Sequence, residues 1–338
     1  MKKKLLSLVS VLLIAGMILA LSACSGGGQQ GGGGGQESGE SGGGDAKDSF
    51  VVGICQLVQH PALDAATQGF KDAITEALGD KVTFEDGNGS GDSATCATIC
   101  NGFVSDGVDL IMANATPALQ AAASATDSIP ILGTSVTTYD AALNLENFDG
   151  TVGGNISGTS DLSPIDQQAQ MIKDLFPDAK TVGVIYCTAE ANSVYQVEAI
   201  TKELTALGFT VTPYSFADSN DVALVTGQAC DENDILYIPT DNTAASCAEA
   251  IDGVARPAQT PIFAAEEGIC AACGVATLTI DYYELGKVTG NMAVKILTGE
   301  ANVSEMPIEY YTNPVKKYNP ELAELYGVTI PDDYVAME

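Results

Sequence analysis

Short apolar runs recur along the chain and set the strongest limit on its fold. Each run is continuous and four to six residues long: residues 50–55, 110–113, 129–132, 182–186, 235–238 and 261–264. The longer segments between them have apolar residues three and four apart, as in Ala66, Phe70, Ala73 and Ile74, which is typical of amphipathic helices. Continuous short runs indicate strands buried on both faces. The alternation therefore predicts an α/β fold with doubly wound parallel sheets.

The pattern occurs twice, in the same order. Residues 52–54 resemble 182–184, residues 109–112 resemble 234–237, and residues 129–132 resemble 260–263. Two like-ordered halves predict two lobes of similar fold, joined by a hinge. The polar stretch 144–161 and the segment after residue 279 are the expected crossovers. We assign lobe 1 to residues 50–157 plus 282–310, and lobe 2 to residues 158–281 plus 311–338.

The N-terminus predicts export. Three lysines at residues 2–4 precede an apolar run that ends in Leu21-Ser22-Ala23-Cys24. This arrangement indicates a signal peptide at residues 1–23. The last four residues resemble the lipobox of bacterial lipoproteins, which implies lipidation of Cys24; ordinary cleavage beside an incidental cysteine is the alternative. Residues 24–49 are rich in Gly and Ser and are expected to form a flexible linker. The predicted location is extracytoplasmic, lipid-anchored to the cell membrane.

Charge and composition exclude several functions. The chain carries 44 acidic and 14 basic residues, a formal net charge of -30, which disfavours nucleic acid as a partner. His60 is the only histidine and Arg256 the only arginine. A zinc site built from several histidines is therefore impossible, and a Ser-His-Asp triad would need His60 as its base. We predict neither a metal nor a cofactor.

Polar side chains follow the predicted strands. In doubly wound sheets ligands bind beyond the carboxyl ends of the strands, so two facing lobes would form a cleft there. Carboxylates in such a cleft can hold an ammonium group, while hydroxyls and helix N-termini can hold a carboxylate. Each residue could instead be only a helix cap, as expected for Thr116, Asn192 and Asp241, and His60 could either contact a ligand or order its loop. The candidate residues at these strand ends are Gln56, His60, Thr116, Pro117, Thr134, Thr137, Glu190, Asn192, Ser193, Asp241, Asn242 and Glu266.

Several motifs resemble one family in the same order along residues 50–331. The chain is similar to the tryptophan/tyrosine-type ABC transporter substrate-binding lipoproteins. The resemblance implies a type I periplasmic-binding fold, a bound amino acid, often aromatic, and a partner ABC permease with its ATPase. Carried over by position, it implies ligand contacts from Thr116, Ser160, Asp161, Glu190, Asn192, Ser193, Asp241 and Asn242. Cys55 and the Cys270–Cys273 stretch depart from the family pattern. The motifs are Gly53-Ile54-Cys55-Gln56, His60-Pro61-Ala62-Leu63-Asp64, Gly69-Phe70, Ala113-Asn114-Ala115-Thr116-Pro117, Gly158-Thr159-Ser160-Asp161, Glu190-Ala191-Asn192-Ser193 and Pro239-Thr240-Asp241-Asn242.

Eight cysteines follow Cys24, although an oxidising exterior favours disulfides. Cys96 and Cys100 are four residues apart on one helical face and are poorly directed for a mutual bond. Cys55 and Cys187 end apolar strands, where cysteine acts as a small buried hydrophobe. We expect mainly unpaired structural thiols, with one or two disulfides as the alternative.

Capture of a small ligand is the function that these features favour. The acidic cleft loops predict a zwitterionic amino acid, apolar or aromatic, bound by hinge closure of a monomer. A lipoprotein that senses a ligand and passes its occupancy to a receptor would use the same cleft. An enzyme is less favoured, because a hydrolase would need His60 as its base.

Overall fold

The computed structural model of the protein describes residue 47 and residues 49–337. The predicted signal peptide at 1–23, the lipidation site Cys24 and the linker at 24–49, apart from residues 47 and 49, lie outside the described residues. Within them, no helix is long and apolar enough to cross a membrane.

Strands and helices alternate through the described chain. The strands are β1 (Phe50–Gln56), β2 (Val82–Asn88), β3 (Leu110–Asn114), β4 (Ile131–Val136), β5 (Ile156–Ser160), β6 (Thr181–Cys187), β7 (Thr210–Phe216), β8 (Ile235–Ile238), β9 (Ile262–Ala264), β10 (Ala276–Thr279), β11 (Glu309–Tyr310), β12 (Val315–Tyr318) and β13 (Val335–Ala336). The helices are α1 (Pro61–Leu78), α2 (Ser93–Asp106), α3 (Thr116–Ala125), α4 (Tyr139–Leu143), α5 (Ile165–Leu175), α6 (Ala191–Ala206), α7 (Val222–Glu232), α8 (Asn242–Ser246), α9 (Ala248–Ala258), α10 (Glu267–Cys273), α11 (Tyr282–Leu297) and α12 (Pro320–Leu325). Single 3-10 turns occupy Gly79–Lys81 and Val303–Glu305.

The strands form two sheets, one in each lobe. The first has the order β11-β5-β4-β3-β1-β2 and is parallel throughout. The second has the order β13-β12-β10-β9-β8-β6-β7 and is parallel except for the antiparallel pair β10–β12. Every residue of β3, β4 and β8 is buried, as expected for strands covered by helices on both faces. The predicted pair of doubly wound parallel-sheet lobes is confirmed.

The chain passes between the lobes three times, at residues 161–164, 280–281 and 311–314. The stretch 144–161, an expected crossover, contains β5, which pairs with β4 in the first sheet. Strand β5 also spans the expected lobe boundary between residues 157 and 158. The crossover itself begins at Asp161, so this residue lies where the two lobes meet.

Helices α1 and α11 cross at a contact that only glycine permits. A Cβ atom on Gly286 would collide with the carbonyl oxygen of Ala66, and one on Gly69 would collide with the carbonyl oxygen of Tyr283. The two helices therefore approach at backbone distance. Because α1 begins just after His60 and α11 begins at Tyr282, this packing fixes both residues beside the interlobe cleft.

Both sheets reverse their strand order at equivalent places. In the first sheet the order turns between β1 and β3, and in the second between β6 and β8. Loops that leave the carboxyl ends of such neighbouring strands diverge and open a crevice. The four loops after β1, β3, β6 and β8 therefore border the same space between the lobes.

The eight cysteines of residues 50–337 are free thiols, seven of them buried. Cys96 and Cys100 lie on the buried face of α2, and Cys55 packs in the same apolar cluster. Cys270 and Cys273 lie on α10, in the apolar cluster of the second lobe that includes residues of α7 and α9. The thiols thus occupy places that small apolar side chains would fill.

Candidate functional site

A narrow cavity lies between the lobes; it holds about 260 Å³ of space, open solvent included, of which only about 10 Å³ is open to a water molecule. It is bordered by the ends of β1, β4, β5, β8 and β9 and by the start of α11. Among the described residues, its lining contains three carboxylates and one imidazole but no lysine or arginine. The lining residues are His60, Leu63, Ser135, Asp161, Thr240, Asp241, Asn242, Ala245, Glu266 and Tyr282.

Three residues that line this cavity have a buried polar atom with no hydrogen-bond partner within the described chain: His60 Nδ1, Ser135 Oγ and Asp161 Oδ1. Buried polar groups in native proteins are nearly always paired, so an unpaired set at one place indicates a ligand or bound water. Thr116 Oγ1 and Asn192 Oδ1, in the first turns of α3 and α6, are also unpaired there but do not line the cavity.

A larger apolar groove borders the cavity on the other side of Glu266 and Tyr282. It encloses about 1400 Å³, including open solvent, between α1, α10 and the crossovers. None of its lining residues carries a buried polar atom without a partner. Because specific recognition needs such atoms, we place the candidate site in the smaller cavity.

Two residues at the cleft adopt left-handed backbone conformations without being glycine. Ala115 has φ 88° at the end of β3, and Ser135 has φ 54° in β4. The register of β4 against β5 shifts between Gly133 and Val136, around Ser135. Such conformations cost energy and cluster at functional sites. Here the irregularity brings the unpaired hydroxyl of Ser135 to the cavity.

Asp161 is the carboxylate with a free oxygen. Its Oδ2 accepts a hydrogen bond from the Tyr282 hydroxyl at 3.0 Å, while Oδ1 is buried without a partner. Burial raises the pKa of Asp161 to about 6, and the Tyr282 hydrogen bond opposes that rise. An ionised buried carboxylate with an open acceptor is suited to a cation, because a partner charge offsets the desolvation cost.

Glu190 has both oxygens occupied by the start of α8. Oε2 accepts from the backbone N–H of Asn242 at 3.1 Å and from its side-chain Nδ2 at 2.6 Å. Oε1 accepts from the backbone N–H and hydroxyl of Thr243, both at 2.8 Å. The side chain thus joins the loop after β6 to the loop after β8, and its role is to position Asn242.

Asp241 is also engaged within lobe 2. Its Oδ1 accepts from the N–H of Ala244 at 2.8 Å, and Oδ2 accepts from the N–H of Cys187 at 2.6 Å. Burial and then the neighbouring Glu190 raise the pKa of Asp241 to about 7. The predicted cap at Asp241 is confirmed. The predicted caps Thr116 and Asn192 are wrong, because both residues are inside their helices and the N-cap positions belong to Ala115 and Glu190.

Glu266 caps α10 and faces His60. Its oxygens accept from the N–H groups of Gly268 at 2.9 Å and Ile269 at 2.5 Å. Burial raises the pKa of Glu266, and the proximity of His60 opposes that rise. Glu266 thereby adds negative charge beside the imidazole.

The side chains of three candidate residues have hydrogen-bond partners within lobe 1. Gln56 donates to Val58 O and Asp64 and accepts from Thr67, so it orders the loop after β1. The hydroxyl of Thr134 accepts from Thr159 and Thr289, both at 3.2 Å. The Ser160 hydroxyl donates to Thr137 O at 2.8 Å and accepts from Leu162 N–H. These side chains shape the site without presenting a free atom to the cavity.

Direct contacts join the two lobes across the cleft. Gln196 Nε2 donates to the hydroxyls of Thr240 at 2.6 Å and Thr137 at 3.3 Å. The hydroxyls of Thr137 and Thr240 are themselves 3.5 Å apart. His60 Nε2 lies 3.2 Å from Asn242 Oδ1. Thr137 and Asn242 therefore bridge the lobes.

The remaining candidates lie toward lobe 2 and the outer cleft. Ser193 is fully buried beside Asn192, whose Nδ2 lies 3.4 Å from its hydroxyl. Pro117 lines a second interlobe opening together with Glu190 and Thr243. Sequence reasoning missed Tyr282 and Gln196. Tyr282 could have been found as the residue after the second crossover, whereas nothing in the sequence distinguishes Gln196 from other helical glutamines.

Metal chemistry has no support in residues 49–337, where no group of three or more His, Cys, Asp or Glu side chains is arranged to hold a metal ion. The imidazole of His60 is engaged with an amide rather than with a hydroxyl or thiol nucleophile.

Known proteins resemble this chain over nearly all of its described part. Residues 51–337 match the sequence profile of a family described as ABC transporter substrate binding protein. A protein named Tyrosine-binding protein, from Clostridioides difficile (strain R20291), is 37% identical over 267 residues, which are 78% of this chain and 77% of that protein.

Two solved structures give a comparison of conformation. The ABC domain in complex with L-Trp from Streptococcus pneumonia has a TM-score of 0.81 at 32% identity, covering 84% of this chain and 96% of that chain. A ligand-free, open structure of a substrate-binding protein with adhesive properties, from Clostridium difficile, has a TM-score of 0.65 at 36% identity. The match covers 86% of this chain and 99% of that chain. The fold is that of type I periplasmic-binding proteins. The chain belongs to the family of ABC transporter substrate-binding proteins.

Proposed function

We propose that the protein binds an aromatic amino acid between its lobes and delivers it to an ABC permease with its ATPase. The observation that carries this proposal is the free, buried Oδ1 of Asp161, in a cavity without lysine or arginine. A carboxylate in that setting favours a ligand ammonium group. Members of this family bind substrates and are not enzymes.

The choice of an aromatic amino acid is supported by the relatives. One is named a tyrosine-binding protein, and another was solved with L-Trp. The apolar part of the cavity lining, which includes Leu63, Ala245 and Tyr282, provides a surface for a ring. The carboxylates and hydroxyls around it provide partners for the zwitterionic end of the ligand.

We further propose that the lobes close around the ligand. The hydrogen bonds of Gln196 and His60 across the cleft are contacts that a closed form makes. The chain is less similar in structure to the open relative than to the L-Trp complex, although its sequence is closer to the open one. A ligand that contacts both lobes shifts the population toward closure by its higher affinity for that state.

The proposal includes the location of the protein in the cell. We place the protein outside the cytoplasmic membrane as a monomer, with Cys24 lipidated after removal of residues 1–23 and residues 24–49 as the tether. A Cys24→Ala variant should lose labelling by a fatty acid and appear in the medium or periplasm. Continued labelling of that variant would contradict the anchor.

Isothermal titration of the purified domain against the twenty amino acids tests the ligand. We expect saturable binding of one ligand per chain by tyrosine, tryptophan or phenylalanine, with a heat-capacity decrease from apolar burial. Failure of every amino acid to bind, together with tight binding of a sugar or nucleoside, would overturn the proposal. Denatured and refolded protein serves as the preparation, so that a co-purified ligand cannot block the site.

A further inference from the structure

His60 has one ring nitrogen engaged and one free. Nε2 lies 3.2 Å from Asn242 Oδ1, and the side-chain Nδ2 of Asn242 donates to Glu190 at 2.6 Å. Because the amide nitrogen is committed to the carboxylate, the atom that faces His60 is the acceptor oxygen. Nε2 of His60 therefore carries a hydrogen.

The free nitrogen, Nδ1, is in a buried position that faces the cavity. His60 is 7% exposed, lines the cavity, and has no partner for Nδ1 in the described chain. With Nε2 already protonated, Nδ1 can only accept a hydrogen bond in the neutral ring and can only donate one in the imidazolium ion. The charge of His60 thus decides which ligand atom it binds.

Helix α1 begins at the same place. It is 18 residues long, starts with Pro61 immediately after His60, and has no side-chain cap. Pro61 has no N–H and the N–H of Asp64 donates to the carbonyl oxygen of His60, so the N–H groups of Ala62 and Leu63 are those without an acceptor inside the helix. The helix dipole adds partial positive charge there. Leu63, in that turn, lines the cavity. His60 and the start of α1 therefore face the same space.

Acidic side chains surround His60. Glu266 faces it from the cap of α10, Asp241 and Glu190 lie behind Asn242 at α8, Asp161 and Tyr282 line the same cavity, and Asp64 is in the first turn of α1. These are acids, and no lysine or arginine lines the cavity. His60 is therefore the one side chain of this lining that can carry positive charge.

A zwitterionic ligand whose ammonium group lies at Asp161 must place its carboxylate at another part of the lining, where His60 is the one side chain that can carry positive charge. We propose that the ligand carboxylate is held by the Nδ1–H of a protonated His60 together with the N-terminal turn of α1. The inference rests on the proposed function and deepens it, since it fixes the ligand's orientation: the ammonium group lies at Asp161 and the carboxylate at His60. The site then requires a free carboxylate and discriminates against amides and decarboxylated amines of the same ring.

Titration of three ligands that share one ring tests the orientation. Tyrosine, its α-amide and tyramine are compared on the wild-type protein and on His60→Gln, which keeps an N–H donor but cannot carry the charge. We expect the wild type to prefer tyrosine over the amide by at least about 100-fold, in the range of a charge-assisted hydrogen bond in a buried site. In His60→Gln this preference should shrink to below about threefold, mainly through weaker binding of tyrosine.

Asn242→Leu is the matched control, because it releases His60 from lobe 2 without removing the imidazole. A loss of the interlobe contact weakens all ligands by a similar factor and leaves the preference for the free acid in place.

The outcomes separate the two proposals. If no ligand with an aromatic ring binds the wild type, the proposed function fails. If tyrosine binds but its amide binds as tightly, or if His60→Gln weakens both by the same factor, the function stands and the carboxylate assignment is overturned. Near-ultraviolet circular dichroism establishes that the variant is folded, and the comparison of acid with amide on the wild type needs no variant.

Discussion

The hydroxyl of Tyr282 donates a hydrogen bond of 3.0 Å to Oδ2 of Asp161, and both residues are buried where the chain passes between the lobes. Asp161 follows β5 at the first crossover, and Tyr282 begins α11 after the second. The bond therefore links two crossovers and leaves Oδ1 of Asp161 as the open acceptor. A ligand that binds Oδ1 of Asp161 would therefore contact a residue whose position depends on how the two lobes are arranged.

Asp161→Asn should weaken binding of the aromatic amino acid by about 100-fold, because a hydrogen bond to a buried charge contributes about 1.5–3 kcal/mol. The same change removes an uncompensated buried charge, so the ligand-free protein should melt at a higher temperature. Titration calorimetry and thermal unfolding measure the two effects. Asp174→Asn, at an exposed site on α5, is the control and should change neither. An unaltered affinity in Asp161→Asn would remove this residue from the site.

Tyr282→Phe should weaken binding by about three- to tenfold, in keeping with the loss of one hydrogen bond of about 1 kcal/mol. Without the hydroxyl the pKa of Asp161 rises further, since the Tyr282 hydrogen bond is the largest of the contacts that lower it. The pH below which the ligand is lost should therefore move upward. Tyr283→Phe is the matched control, because its hydroxyl donates to Asp72 outside the cavity. Equal effects of the two substitutions would contradict the role of Tyr282.

Acidification should act in opposite directions on ligand affinity and on the stability of the ligand-free protein. Burial raises the pKa of Asp161 to about 6, above its ordinary value of 3.8. The native state then binds more protons than the unfolded state between those values, so this group stabilises the protein below about pH 4 and loses that contribution as the pH rises through about 6. A ligand ammonium group selects the ionised form, so affinity should fall below about pH 6, approaching tenfold per pH unit.

The measurement compares wild type with Asp161→Asn by urea unfolding across this pH range. The wild type should lose on the order of 2 kcal/mol relative to the variant between about pH 4 and pH 7. The difference in unfolding free energy between the two proteins cancels the contribution from surface carboxylates such as Asp92 and Asp234, whose pKa values are lowered by hydrogen bonds. A flat difference would show that Asp161 ionises normally.

The sequence predicts the strands that are continuous apolar runs. It does not predict a strand whose buried side chains are mostly polar. β1, β3, β6 and β8 are such apolar runs. β5 reads Ile-Ser-Gly-Thr-Ser and lies in the stretch that the sequence predicts to be a crossover, yet every residue in it is buried. Thr159 forms hydrogen bonds with Thr134 and Thr289, which are 25 and 130 residues away in sequence. A strand stabilised by such distant partners has no local signal.

The candidate site, too, is predicted only in part from the sequence. Polar residues at strand ends predict where the cleft lies, because topology alone brings those ends together. Nothing in the sequence distinguishes the roles of Asp161, Glu190 and Asp241, because each is a carboxylate beside a crossover or a helix start. Their roles differ because Glu190 and Asp241 have both oxygens occupied by backbone N–H groups of lobe 2, whereas Asp161 keeps one free. That distinction depends on three-dimensional contacts.

Glu190→Ala should lower the free energy of unfolding by about 2–4 kcal/mol, since it leaves several buried donors at the start of α8 without an acceptor. It should also weaken ligand binding about tenfold, because Asn242 loses the orientation that holds His60. Urea unfolding and calorimetry test both effects. Glu198→Ala, exposed on α6, is the control. Weaker binding at unchanged stability would instead indicate that Glu190 contacts the ligand directly.

Gly286→Ala should destabilise the protein and displace the site together. A methyl group at Gly286 meets the backbone oxygen of Ala66, which cannot move away without shifting α1, and overpacking of this kind costs about 1–3 kcal/mol or more. Since α1 begins after His60 and α11 begins at Tyr282, the same shift separates two residues that line the cavity. We therefore expect weaker ligand binding even where the variant remains folded.

Gly102→Ala is the matched control for that substitution. Gly102 lies inside α2, and a Cβ atom there meets nothing within 4 Å. Alanine loses less conformational entropy than glycine in a helix, so this variant should be more stable than wild type by about 0.5–1 kcal/mol and should bind the ligand equally well. Thermal unfolding and calorimetry of the two variants side by side separate a general effect of glycine replacement from the close crossing of α1 and α11. If Gly286→Ala behaved like Gly102→Ala, the crossing would not control the position of His60 and Tyr282.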